Sequence, residues 1–423
     1  MQETLHFVNH RSEIAGIPVT SLVQKFGTPC FVYDAAKIQE RFNDLAMFDT
    51  VRFAQKACSN LAILRLLRAQ GAVVDAVSGM EIRRAIAAGF TPGQIVYTAD
   101  IFDQDALDLI TGDIPVHVNC GSADMIWQLG ERMPNQDITL RINPGFGHGH
   151  SQKTNTGGDQ SKHGIWLTEV KRCMELASHF DMRITGLHMH IGSGTDLEHL
   201  SKVCLRMYDV ALDVGAGLQT ISCGGGLPVP YQEDERFVDL NEYHRIWRET
   251  ISKLERQFGH PINLEIEPGR YLVAESGYLI SEIRAAKKQK NNIFYLVDAG
   301  FNNLARPIMY GSYHPISIAF RDSTAKVTAE QEVIVGGPLC ESGDIFTQSE
   351  GGFVQKRSLP VAETGDYLIL ENAGAYGSVM GSNYNSKVFA PEILIEKGRA
   401  KLIRKRQTFE QLIANELVSD DDC

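Results

Sequence analysis

A (β/α)8 barrel of the TIM type, followed by a mostly β domain that takes up a strand from the amino terminus, is the fold class this sequence predicts. Three observations predict it. Eight short apolar, β-branched runs recur along the middle of the chain, most of them followed by a helical pattern. The residues with chemical potential gather at the carboxyl ends of those runs, where barrel enzymes build their sites. Past residue 277 the pattern changes to strands without long helices between them.

The amino-terminal residues 1–28, with "LHFVN", are expected to add a strand to the β domain. Residues 29–276 are expected to form the barrel. Its strand candidates are "VRFAQKA" (51–57), "AVVDAVS" (72–78), "QIVYTAD" (94–100), "PVHVNC" (115–120), "DITLRINP" (137–144), "RITGLHMHI" (183–191), "LQTISCGGG" (218–226) and "INLEIEPG" (262–269). The first five recur about every 22 residues, with helical segments such as "NLAILRLLRAQ" and "GMEIRRAIAAGF" between them, as parallel βα units require. Lys56, Ser78, Asp100, Asn119, Asn143, His190, Gly224 to Gly226 and Glu267 stand at or just past the ends of these runs. An open doubly wound sheet is the alternative, and the one-ended sorting favours the closed barrel. Residues 277–423 form the β domain, through "GYLISEIRAA", "NIFYLVDAG", "QEVIVGGPLC", "DYLILENAGAY" and "PEILIEKGRAKLI".

With 43% hydrophobic residues in 423, the chain has material for a large core. A net charge of −11 and the acidic end "SDDDC" argue against a nucleic-acid surface. No stretch approaches the roughly 20 apolar residues of a membrane span, and "MQETLHFVNH" lacks a signal-peptide pattern, so a cytoplasmic location without a membrane partner is expected. The eight cysteines show no CxxC or CxxH spacing, which favours reduced thiols over disulfides or zinc.

Four features carry chemistry. Counting in twos along "VRFAQKA" sets Lys56 at a strand end, either solvated or held for reaction. "SCGGGLPVPY" (222–231) places three glycines where backbone N–H groups can cradle a phosphate, although such a run is more often only a turn. "HMHIGSG" (188–194) supplies His190 and Ser193; a metal pair of His188 with His190 fails because alternate strand residues face opposite ways. "EIEPGRYL" (265–272) sets Glu267 at a strand end with Arg270 across a Pro-Gly turn, either as a loop-capping ion pair or as a carboxylate for a cofactor ring nitrogen beside an anion-binding arginine. A lysine for a Schiff base, a phosphate cradle, a flat imidazole and a ring-nitrogen carboxylate together point to pyridoxal 5'-phosphate and to no metal.

The chain resembles the barrel-type pyridoxal-phosphate decarboxylases, the family of alanine-racemase-like and ornithine-decarboxylase-like enzymes. Its motifs are most similar to those of the diaminopimelate decarboxylases: "FAQKACSN", "NPGFGHGHSQKTNTGGDQSKHGIW", "HMHIGSG", "GGGLPVPY", "EPGR", "GPLCESGD" and "GAYGSVMGSNYNS", in the family's order. Gln55 and Cys58 depart from the Val and Asn of many members, while the lysine is intact.

The resemblance implies that Lys56 binds the cofactor covalently, His190 stacks on its ring and Glu267 pairs with its ring nitrogen. Ser193, the backbone of Gly224, Gly225, Gly226, Gly269 and Arg270, and the Tyr376 hydroxyl would surround the phosphate. Arg270, Arg306 and Tyr310 would meet substrate carboxylate, Glu341 the distal ammonium, and Cys340 would act near the α-carbon. The "GPLCESGD" loop comes from the neighbouring subunit in the family, which implies a homodimer with shared sites. The implied reaction converts meso-2,6-diaminopimelate to L-lysine. The "CES" triplet and Arg306 weigh against ornithine, arginine or carboxynorspermidine as substrates, and the retained Cys340 and arginines weigh against a non-catalytic cofactor carrier. A phosphosugar-binding barrel would leave Lys56 idle. His148 and His150 read as polar loop residues.

Overall fold

The computed structural model describes residues 7–147, 157–190, 192 and 197–417. The chain divides into two units, one made of Gln39–Val229 and Phe237–Leu272, the other of Met1–Ile38, Pro230–Arg236 and Val273–Cys423.

In the first unit eight parallel strands among the described residues close into a barrel. They run in the order Thr50–Ala54, Val73–Ala76, Ile95–Ala99, His117–Cys120, Asp137–Asn143, Arg183–His188, Thr220–Ser222 and Asn263–Ile266. The last returns to the first, with Glu265 opposite Thr50 and Ile266 opposite Val51. Arg52 and Glu265 lock this seam through two buried bonds of 2.6 and 2.8 Å. Fork-to-fork geometry compensates the desolvation of both charges.

Short polar caps start the helices. The side chains of Asn60, Ser78, Asp103, Ser122 and Asp239 each accept a backbone N–H of the helix that follows. Apolar residues at helical spacing then face the sheet, such as Met125, Ile126 and Leu129 in Ala123–Arg132.

The expected strand 51–57 ends at Ala54, and Gln55–Ala57 forms a single 3₁₀ turn. Lys56 therefore leaves the barrel from a turn, and its direction is set by that turn rather than by strand alternation. Gln55 is buried and donates from Nε2 to the Glu81 carbonyl at 3.1 Å.

The second unit has a seven-strand path: Arg357–Pro360, Glu330–Gly336, Asn292–Val297, Gly277–Gln289, Cys30–Asp34, Glu392–Glu396 and Arg399–Arg404. Tyr367–Leu370 joins Gly277–Gln289 and carries Ile316–Ala319 on its other side. Residues 29–38, expected within the barrel segment, group with this unit because Cys30–Asp34 lies between Gly277–Gln289 and Glu392–Glu396. Its alternate side chains Cys30 and Val32 are buried with Ile14, Leu22, Ile280, Ile369 and Ile393 in one core. The strand expected at "LHFVN" reduces to a bridge of His10 with Ile318, the residues before Phe7 lying outside those described.

Candidate active site

A cavity of about 860 Å³ opens at the carboxyl ends of the barrel strands, and Lys56, Asp100, Arg141, His163 and His190 line it. Lys56 is exposed to it. This is the end to which the sequence assigned the chemistry.

The glycine segment 224–226 follows Thr220–Ser222. Gly224 and Gly226 have φ of 66° and 95°. A Cβ at Gly224, Gly225 or Gly226 would come within 2.4, 2.4 or 2.1 Å of the carbonyl oxygens of Met189, Glu267 and Gly192 respectively, so only glycine fits. The Gly224 N–H donates to Ser222 Oγ at 3.2 Å and the Gly225 N–H to His190 Nδ1 at 3.2 Å. That second bond places the remaining ring proton of a neutral His190 on Nε2. Burial, followed by the Lys56 and Arg141 charges, pushes the His190 imidazole well down, so it is neutral.

Glu267 lies just past Asn263–Ile266 and is buried. Ser222 Oγ donates to Oε1 at 2.8 Å, and His188 Nε2 is 2.8 Å from Oε2. Burial alone would raise the carboxyl, but the His188 charge and hydrogen bond, with Ser222 and Arg52 behind them, hold it far below the usual range. Glu267 is thus a buried carboxylate kept ionised. The loop after it folds back on the first strand: Ala54 N–H donates to the Pro268 carbonyl at 3.2 Å, and a Cβ on Gly269 would sit 3.2 Å from the Ala57 methyl. Arg270 then opens the short helix Arg270–Val273.

Three functional candidates escaped the sequence reading. His188 was considered only as a metal ligand, whereas it braces Glu267; among the described residues no cluster of three His, Cys, Asp or Glu could hold a metal. Asp75 and Arg141 are buried ionisable residues within strands Val73–Ala76 and Asp137–Asn143. The available signal was a charged residue inside an otherwise apolar run, since such residues rarely enter a core without a partner.

Burial and the nearby Glu267 carboxylate push the Asp75 carboxyl up to about 8, against Lys56 and Thr98. The folded protein holds this proton across the window from 3.8 to about 8, in which the unfolded chain has released it, so stability is lost as pH rises through that window. Asp75→Asn is therefore expected to raise the melting temperature of cofactor-free protein more at pH 8 than at pH 5. Equal increments at both pH values would refute this reading.

Several strand-end residues are structural. Ser78 and Ser122 cap helices, Asn119 Nδ2 donates to Thr98 Oγ1 at 3.0 Å, and Asp100 pairs with His163 Nδ1 at 2.5 Å while accepting the Gly164 N–H at 2.8 Å. Asn143 ties Gly145 to Gly158 and His163, donating to the Gly158 and His163 carbonyls and accepting from the Gly145 and Gly158 N–H groups. Ser193, His148 and His150 lie outside the described residues.

Within the second unit, Arg306 and Tyr310 stand one helical turn apart on Arg306–Tyr310. Tyr376 has φ 56°, a left-handed conformation that a non-glycine residue adopts only under constraint. Asp344 shapes the "GPLCESGD" loop by accepting the Phe301 and Leu339 N–H groups, each at 2.8 Å. The loop leaves Cys340 exposed, with its N–H donating to Asn385, and Glu341 is exposed beside it. The other described cysteines, Cys30, Cys58, Cys120, Cys173, Cys204 and Cys223, are buried. Burial pushes the Cys30 and Cys204 thiols up to about 12, the inert state expected of core cysteines.

Among the described residues no helix is long and apolar enough to cross a membrane. The pyridoxal-binding domain of the pyridoxal-dependent decarboxylases matches residues 35–274. Over 402 residues the chain is 52% identical to the diaminopimelate decarboxylase of Escherichia coli, covering 94% of this chain and 96% of that one. A crystal structure of diaminopimelate decarboxylase shares 51% identity at a TM-score of 0.92, across 95% of this chain and 96% of that chain. The Helicobacter pylori diaminopimelate decarboxylase complexed with L-lysine matches at 30% identity and a TM-score of 0.84, across 94% and 98%. Agreement of sequence and fold over nearly the whole length makes this chain a member of the diaminopimelate decarboxylases, lyases that depend on pyridoxal phosphate.

Proposed function

We propose that the protein removes the carboxyl group of meso-2,6-diaminopimelate as carbon dioxide and releases L-lysine, acting in the cytoplasm as a homodimer whose "GPLCESGD" loops serve the neighbouring subunit. One observation carries this reading: an accessible Lys56, a neutral His190 and an ionised Glu267 occur together at one end of the barrel.

These groups fit pyridoxal phosphate. Lys56 has an accessible amine for the aldehyde, the neutral His190 ring offers a flat face, and Glu267 keeps a negative charge where a protonated ring nitrogen needs one. Ser193, Gly224, Gly225, Gly226, Gly269, Arg270 and Tyr376 would hold the phosphate. When bound, the cofactor supplies an electron sink for the charge left by the departing carboxylate.

The protein's own part is orientation and proton handling. Arg270, Arg306 and Tyr310 bind substrate carboxylate, Glu341 binds the distal ammonium, and Cys340, whose thiol is exposed, delivers a proton to the α-carbon. A substrate without the second carboxylate would leave a binding arginine unpaired, which disfavours ornithine. The lysine bound to the Helicobacter pylori relative has the proposed product's structure.

Purified protein with added pyridoxal phosphate is expected to release carbon dioxide from meso-diaminopimelate and at least about 100-fold more slowly from ornithine or lysine. Faster release from ornithine would move the substrate to another basic amino acid. No release at all, with cofactor bound, would leave a non-catalytic carrier.

A further inference from the structure

Arg306 is buried, and its position is set by neutral groups on two sides. Nη1 donates to the Tyr231 hydroxyl at 3.1 Å and to His314 Nε2 at 3.0 Å. The guanidinium carbon lies 5.0 Å from the Tyr231 ring centroid. His314 is only 2% exposed, and its Nδ1 donates to the Glu371 carbonyl at 2.9 Å. That bond assigns the proton to Nδ1 and leaves the Nε2 lone pair facing the guanidinium. The Tyr231 ring meets the imidazole edge-on, with centroids 5.3 Å apart.

The frame behind these groups is itself held. The Glu371 carboxylate accepts Arg11 at 2.8 and 3.1 Å and the Ser317 hydroxyl at 2.6 Å. The Tyr231 N–H donates to Glu235 at 2.6 Å, and Asn372 Nδ2 donates to the adjacent Pro230 carbonyl at 2.9 Å.

We propose that His314 and Tyr231 are positioning residues, which set the plane of Arg306 for a substrate carboxylate. The inference rests on the carboxylate-binding role given to Arg306 above. A guanidinium is rigid and planar, so fixing both hydrogens of Nη1 fixes the whole fork that a carboxylate meets. Neutral acceptors orient the cation without cancelling its charge, whereas a carboxylate at either position would compete with the substrate. A loose arginine would have to be ordered at each binding event.

Steady-state kinetics of the holoenzyme test this. His314→Phe and Tyr231→Phe are each expected to raise KM for meso-diaminopimelate by about tenfold with kcat within about threefold, the pattern of a lost binding interaction. The cofactor absorbance and the dissociation constant for pyridoxal phosphate stay unchanged. His314→Gln, which returns a neutral acceptor, recovers part of the loss. In an Arg306→Ala background the added effect of either substitution disappears, because both act through that guanidinium. If Arg306→Ala raises KM while His314→Phe and Tyr231→Phe do not, or if their effects add to it, the positioning role is overturned. If Arg306→Ala leaves KM unchanged, the carboxylate-binding role of Arg306 fails, and the inference falls with it. Should His314→Phe not fold, Tyr231→Phe removes a single oxygen and carries the test.

Discussion

Lys56→Ala is expected to lower carbon dioxide release from meso-diaminopimelate by on the order of 10⁴-fold, because the substitution deletes the amine proposed to hold the cofactor covalently and return it after each turnover. The fold should survive. Lys56 sits on the 3₁₀ turn Gln55–Ala57, is exposed to the cavity and contributes nothing to the core, whereas its neighbours Gln55 and Ala57 are buried. Borohydride reduction followed by mass measurement gives an independent readout: wild-type protein should retain the cofactor mass and the variant should not. Release near the wild-type rate, or cofactor mass retained on the variant, would remove Lys56 from the chemistry.

Glu267→Gln is expected to lower kcat by about 10²- to 10³-fold with a much smaller effect on substrate binding. The amide has the same size and can still meet Ser222 and His188, so packing is conserved while the charge is lost. The charge matters because Ser222 and His188, at 2.8 Å each, keep Glu267 ionised despite its burial. A carboxylate held below its ordinary value contributes stability that is present above the unfolded value of 4.5 and lost only as pH falls through the depressed folded value. The acid limb of the pH–rate profile should therefore not follow Glu267. Parallel losses in kcat and kcat/KM would identify an interaction made in the transition state; a change confined to KM would contradict the assignment.

Much of this protein can be read directly from its residues. The alternation of β-branched runs with amphipathic stretches is a local property, and it specifies the parallel barrel because each run must be covered on both faces. Lys56, His190 and Glu267 were legible for a related reason: polar residues just past apolar runs fall at one end of a parallel sheet.

Other features depend on contacts between residues distant in the chain. His188 looked like one half of a failed metal pair until strand Arg183–His188 came beside Thr220–Ser222, with Asn263–Ile266 next in the sheet, and set it against Glu267, 79 positions away. The seam pair Arg52 and Glu265 likewise forms only when the last strand returns to the first. Strand Cys30–Asp34 falls inside the 29–276 segment expected to form the barrel, and pairing with Gly277–Gln289 and Glu392–Glu396 places it in the β domain instead. The grip of Tyr231 on Arg306 spans 75 positions and leaves no periodic trace. The sequence by itself determined the barrel, the β domain and the end of the barrel at which chemistry gathers, because periodicity and strand ends are local. Only the tertiary structure decided which buried polar group braces which, because a buried charge takes whichever partner the fold brings within hydrogen-bond reach.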